Sequence, residues 1–128
     1  KPFFARGGKL LMYHGWADGN VPDADAIEYY ERVRLAVGGS DRPGDFFRLF
    51  LVPGMGHCSG GDGPNNFDTL SALEQWVEHG TAPERIIASR SLNGIVDRTR
   101  PLCPYPQLAS YKGSGDTNEA ANFVCKVP

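Results

Sequence analysis

Two rhythms of apolar residues run along this chain, short unbroken runs and steps of three and four. Lys9-Leu10-Leu11-Met12-Tyr13 is a short apolar run entered through Gly7-Gly8, and it reads as a buried strand. The polar, glycine-containing loop His14-Gly15-Trp16-Ala17-Asp18-Gly19-Asn20 follows it. From Asp23 to about Val37 the apolar positions Ala26, Ile27, Tyr30, Val33 and Val37 recur at helical spacing. Asp23 and Asp25 at the start and Gly38-Gly39 at the end bound this amphipathic helix. Phe46 to Val52 predicts a second strand, stopped by Pro53-Gly54. The glycine-rich loop Gly54 to Asn66 then carries His57 and Cys58. A second helix is predicted over Asp68 to His79, with Leu70, Leu73, Trp76 and Val77 as its buried stripe and Gly80 behind it.

Beyond Gly80 the rhythm weakens. Arg85-Ile86-Ile87-Ala88-Ser89 reads as a third strand, Arg98 to Ser114 is dense in Pro and Gly, and Asn118 to Cys125 is ambiguous between a helical turn and coil. The order strand, loop, helix, strand, loop, helix and irregular tail predicts parallel strands in an α/β sheet, with ligands at the C-terminal ends of the strands. No internal repeat and no linker divides the chain, so residues 1-128 read as one unit.

Composition narrows the class. The 128 residues are 41% hydrophobic and 22% charged, with a formal net charge of -2. A chain of this size buries roughly two-thirds of its unfolded surface. The charge balance supplies no basic field for nucleic acid, and no apolar run approaches the ~20 residues of a helical membrane span. The chain starts at Lys1 without an initiator Met or signal peptide, which is expected of a processed or truncated segment. Its cysteines are odd in number, Cys58, Cys103 and Cys125, so an extracellular protein needs a partner for one of them outside the chain, or leaves a free thiol. Without a C-x-x-C pair they do not suggest zinc, and no metal ligand is assigned.

Asp18 follows the first predicted strand and His57 the second, so both loops leave one edge of a parallel sheet. A carboxylate that accepts the Nδ1 proton of histidine fixes its tautomer and leaves the other nitrogen to act as a base toward a hydroxyl nucleophile. In α/β-hydrolases the triad runs Ser, acid, His along the chain. The last two have that order here, whereas none of Ser40, Ser59, Ser71, Ser89, Ser91, Ser110 or Ser114 sits on a glycine-flanked strand–turn–helix. The nucleophile is therefore expected upstream of Lys1. His14 and Trp16 are candidates to line the substrate site, and plainer readings stand beside these: Asp18 as a turn residue, His14 as a structural hydrogen-bonding residue, Trp16 as core, and His79 as a partner of a helix dipole. A thiol nucleophile in Cys58-Ser59-Gly60-Gly61 has little support, because adjacent residues rarely aim at each other as base and nucleophile.

His14-Gly15-Trp16-Ala17-Asp18 together with Gly54-Met55-Gly56-His57-Cys58 resembles the tannase and feruloyl esterase family. The likeness continues through Leu73-Glu74-Gln75-Trp76-Val77-Glu78, Arg98-Thr99-Arg100-Pro101-Leu102-Cys103-Pro104-Tyr105-Pro106 and Tyr111-Lys112-Gly113-Ser114-Gly115-Asp116. The resemblance implies the C-terminal part of an α/β-hydrolase fold, with its last strands and helices and a disulfide-stapled tail. The lid, a structural calcium ion in that lid and the nucleophile elbow would lie outside the chain. It implies a serine esterase acting on esters of phenolic or aromatic acids, Asp18 and His57 being the acid and base, with the remainder of the enzyme as partner and no cofactor in this segment. It further implies that Cys58 bridges to the cysteine before the nucleophilic serine, and that Cys103 and Cys125 form the family's C-terminal bridge. Closing a tail loop of that length contributes on the order of 3 kcal/mol. Two bridges imply secretion or the periplasm. A different class also stays open, a catalytically inert binding or assembly module, which size exclusion and phenolic-acid binding would distinguish.

Overall fold

A computed structural model describes residues 2–37 and 46–128. Its elements are α1 (Pro2–Ala5), β1 (Leu10–Gly15), α2 (Asp23–Val37), β2 (Phe47–Val52), α3 (Thr69–His79), β3 (Ile86–Leu92), β4 (Ile95–Leu102), β5 (Leu108–Tyr111), a 3-10 turn (Ala120–Asn122) and β6 (Phe123–Lys126). The expected stop of α2 at Gly38-Gly39 lies outside the described residues.

The parallel pair anticipated from the alternation is β1 and β2, in register from Leu10 opposite Phe47 to Gly15 opposite Val52. β2 is apolar at nearly every position because both its faces are covered, as parallel strands require. Its odd positions Phe47, Leu49 and Leu51 pack with Tyr30, Ile27 and Val33 of α2. Its even positions Phe50 and Val52 pack with Met55, Ile86, Ala88 and Leu102, and with Ala72 of α3. Helices thus cover opposite faces of the pair. β1 is less covered than expected: its burial is intermediate except at exposed Tyr13 and buried Gly15. Among the described residues only one of its edges carries a strand partner.

α3 obeys its end signals. The Asp68 side chain accepts from the backbone N–H of Ser71, and Gly80 at φ 71 receives the chain in the left-handed region. Its expected stripe is only half realised. Trp76 is buried beneath Lys9, whose ammonium lies 5.4 Å from the ring centroid, whereas Leu70 and Val77 are 65% and 61% exposed. Within this chain the helix meets the sheet along one narrow line rather than across four positions.

The region after α3 differs most from expectation. β3 does not extend the parallel pair; it turns back antiparallel onto β4 through Asn93-Gly94, both at positive φ. β5 and β6 form a second antiparallel pair, so the tail expected to be irregular carries strands of its own. The Cys103–Cys125 disulfide, with Cα atoms 5.5 Å apart, joins the end of β4 to β6. The tail also reaches the central pair, because Tyr105 N donates to Leu49 O at 2.7 Å on the edge of β2 away from β1.

Candidate active site

The β1–β2 register brings two loops to one end of the sheet. Trp16 N donates to Val52 O at 3.0 Å and Ala17 N to Met55 O at 2.9 Å, so the loop after β1 lies directly on the loop after β2. Gly15 makes this approach possible. A Cβ built there would lie 2.1 Å from Gly56 O and 2.6 Å from Met55 O, and neither is a movable side chain. The second loop closes on itself as well. Gly56 N donates to Gly60 O, Gly63 N donates to Gly54 O, and Cys58 takes φ 64 at the turn.

Asp18 and His57 meet across these loops, with His57 Nδ1 2.6 Å from Asp18 Oδ2. The other carboxylate oxygen, Oδ1, accepts the backbone N–H groups of Asn20 at 2.8 Å and Val21 at 3.1 Å. The Asp18 side chain is only 3% exposed. That desolvation alone would raise its pKa. The Asn20 amide, the His57 hydrogen bond, the Val21 amide and the His57 charge together outweigh it and hold the pKa at about 2. Asp18 is therefore an ionised acceptor at neutral pH, and the proton shared with it must sit on His57 Nδ1. In the neutral ring Nε2 then carries the lone pair. The His57 side chain is 53% exposed, and among the described residues nothing hydrogen-bonds Nε2. Chemically such a ring, half exposed and with its tautomer set from behind, can act as a base.

The other anticipated residues fall into separate places. His14 Nε2 donates to Val21 O at 3.1 Å, tying β1 to the same segment whose amide supports Asp18. Trp16 is 43% exposed, so of its two readings the core one does not hold in this chain. Cys58 is exposed and has no disulfide partner among the described residues. Among the described residues no serine or cysteine hydrogen-bonds His57. Nor, among the described residues, is any group of three or more His, Cys, Asp or Glu placed to hold a metal ion. Among the described residues no helix is long and apolar enough to cross a membrane. Two contributions escaped the motif reading: the glycine approach at Gly15 and the backbone amides of Asn20 and Val21. The Asp-Gly-Asn run after β1 is a signal for the latter, since Asp side chains commonly accept amides two or three residues on.

Comparison with known proteins gives the geometry a context. A family model described as tannase and feruloyl esterase matches residues 1–126. Mono(2-hydroxyethyl) terephthalate hydrolase of Piscinibacter sakaiensis is 52% identical over 129 residues, covering 98% of this chain and 21% of that protein. A probable feruloyl esterase B-2 of Neosartorya fischeri is 39% identical over 142 residues, covering 96% of this chain and 27% of that protein. Among solved structures, feruloyl esterase B from Aspergillus oryzae superposes with a TM-score of 0.87 at 30% identity, covering 98% of this chain and 28% of the other. The chain thus spans about a fifth to a quarter of the length of the curated relatives it matches. Its sequence, its α/β architecture and its paired Asp18–His57 loops agree on one conclusion: the chain belongs to the tannase and feruloyl esterase family.

Proposed function

We propose that this chain is the C-terminal part of the catalytic domain of a serine-type carboxylic ester hydrolase, and that it supplies the acid and the base of the triad. The observation that carries the reading is the 2.6 Å contact from His57 Nδ1 to an ionised Asp18, with Nε2 left free on a half-exposed ring. A serine elsewhere in the complete protein attacks the ester carbonyl, and His57 Nε2 takes its proton. Asp18 holds the ring and stabilises the imidazolium, and His57 then returns the proton to the leaving alcohol. Water repeats the sequence on the acyl-enzyme and releases the acid.

The substrate class is esters of phenolic or aromatic acids, in keeping with relatives named for feruloyl, tannin and terephthalate esters. Exposed Cys58, next to the base, pairs with the cysteine beside the nucleophile and keeps the two reacting groups in register. Together with the Cys103–Cys125 bridge this suits an oxidising compartment, outside the cell or in the periplasm.

The test is turnover of an aromatic ester by His57→Ala and Asp18→Asn variants of the complete protein. Both are expected to lose turnover by orders of magnitude with little change in melting temperature; near-normal rates in either would end the assignment.

A further inference from the structure

The His57 loop is restrained from outside itself. Five glycines, Gly54, Gly56, Gly60, Gly61 and Gly63, lie within ten residues of it, and such a backbone has much freedom to lose. Its return limb runs along β3, where Asn65 N and Asn66 N both reach Ser89 O at 3.1 Å and Ser89 N donates back to Asn66 O at 2.8 Å. One residue further along β3, Arg90 Nη1 donates to the carbonyl of Asp62 at 2.8 Å. The rest of that guanidinium faces Asp97: Nε donates to Oδ1 at 3.0 Å, and Nη2 pairs with Oδ2. A two-point grip on a carboxylate fixes the plane of the fork, so the direction of the third N–H is no longer free.

The strand pairing is built for this grip. In the β3–β4 ladder Arg90 lies opposite Arg98 and Ser91 opposite Val96, which leaves Asp97 as the extra residue of a bulge. In an unbroken ladder the residue before Arg98 faces away from Arg90. A bulge removes that alternation locally and re-aims the side chain, a device common beside functional sites.

We infer that Arg90, aimed by Asp97, is a positioning residue that sets the height of the His57 loop over Asp18. The inference rests on the reading of His57 as the base. Asp62 directly precedes Gly63, whose N–H reaches Gly54 O at 3.1 Å and where a Cβ would lie 2.1 Å from Pro53 O. The Arg90 bond therefore holds the neck of the loop, the point where its two limbs cross, and His57 and Cys58 lie on the segment beyond it. Partly exposed ion pairs add little to global stability, so the effect belongs to the loop rather than to the fold.

Arg90→Ala, Arg90→Lys and Asp97→Asn variants of the complete protein test this, with His57→Ala as reference. The expected result for Arg90→Ala is a kcat about tenfold lower or more, a KM within about twofold and a nearly unchanged melting temperature, because misplacement of about 1 Å can cost up to roughly a hundredfold in rate. Arg90→Lys should be as slow as Arg90→Ala, since one ammonium cannot grip Asp97 and reach Asp62 in the same geometry. Amide exchange at residues 54–66 should quicken by on the order of tenfold, with the core strands unaffected. Full rescue by lysine, unchanged kcat and exchange, or parallel loss of kcat, KM and melting temperature would each overturn the positioning role. If Arg90→Ala fails to fold, Asp97→Asn decides by the same readouts. Normal turnover in His57→Ala removes the base assignment, while the exchange data still judge the Arg90 bond. Turnover abolished in His57→Ala but intact in the Arg90 variants removes the positioning role alone.

Discussion

Replacing Gly15 by alanine probes the approach of the two loops without touching either ionisable group. The new Cβ would meet Gly56 O at 2.1 Å and Met55 O at 2.6 Å, whereas real Cβ contacts essentially never fall below 3.0 Å. The loops must therefore part by about 1 Å, the same separation that places Ala17 N on Met55 O and His57 on Asp18. Overpacking of this kind costs about 1–3 kcal/mol, and a 1 Å error in a catalytic geometry costs up to roughly a hundredfold in rate. Gly19 supplies the control, because a Cβ there meets nothing within 4 Å and its φ is not positive. Melting curves and ester turnover should show Gly15→Ala destabilised and slowed by at least tenfold, with Gly19→Ala close to the parent in both. A Gly15→Ala protein with parental melting and turnover would refute the steric argument, and equal damage from both substitutions would refute its local nature.

Two further predictions concern the Asp18 carboxyl and the Cys103–Cys125 bridge. The Asp18 pKa is held at about 2 against an ordinary value of 3.8, so the stability that the ionised carboxylate contributes is complete above the ordinary value and is lost as pH falls towards 2. Carbon-13 titration of the Asp18 carboxyl should give a midpoint near pH 2, and a midpoint near 3.8 would mean that the Asn20, Val21 and His57 hydrogen bonds do not act on it. Cys103 and Cys125 are 22 residues apart, and replacing both by serine should lower unfolding stability by roughly 3 kcal/mol, read by denaturant titration. An unchanged unfolding midpoint would mean that the β5–β6 tail is held by packing alone.

The parts of the fold that announce themselves in the sequence are those with one dominant signal. β2 is apolar at every position but Arg48 because it is covered on both faces, and α3 carries its cap in Asp68 and its stop in Gly80. The β3–β4 hairpin does not follow from the α/β alternation, although Asn93-Gly94, a strong signal for a tight antiparallel turn, lies between its strands. Asp97, Arg98, Arg100 and Pro101 mask β4 as irregular, because the strand's polar side chains are spent on the Asp97 grip, the Asn118 contact of Arg98 and the stacking of Arg100 on Phe123. Leu70 and Val77 follow helical period yet stay exposed, since periodicity reports which face is apolar and not what covers it. In the site, Asp18 and His57 were legible because strand order brings their loops together. The Arg90–Asp62 bond was not, because it depends on a bulge that alternation does not encode.

Covalent trapping decides whether His57 serves a serine nucleophile. The complete protein would be treated with a fluorophosphonate, digested without reduction and compared with its His57→Ala variant. The expected result is one labelled serine, on a peptide joined through a disulfide to the peptide containing Cys58, and a labelling rate lowered by orders of magnitude in His57→Ala. Equal labelling of both proteins, or a labelled peptide with Cys58 free elsewhere, would contradict it.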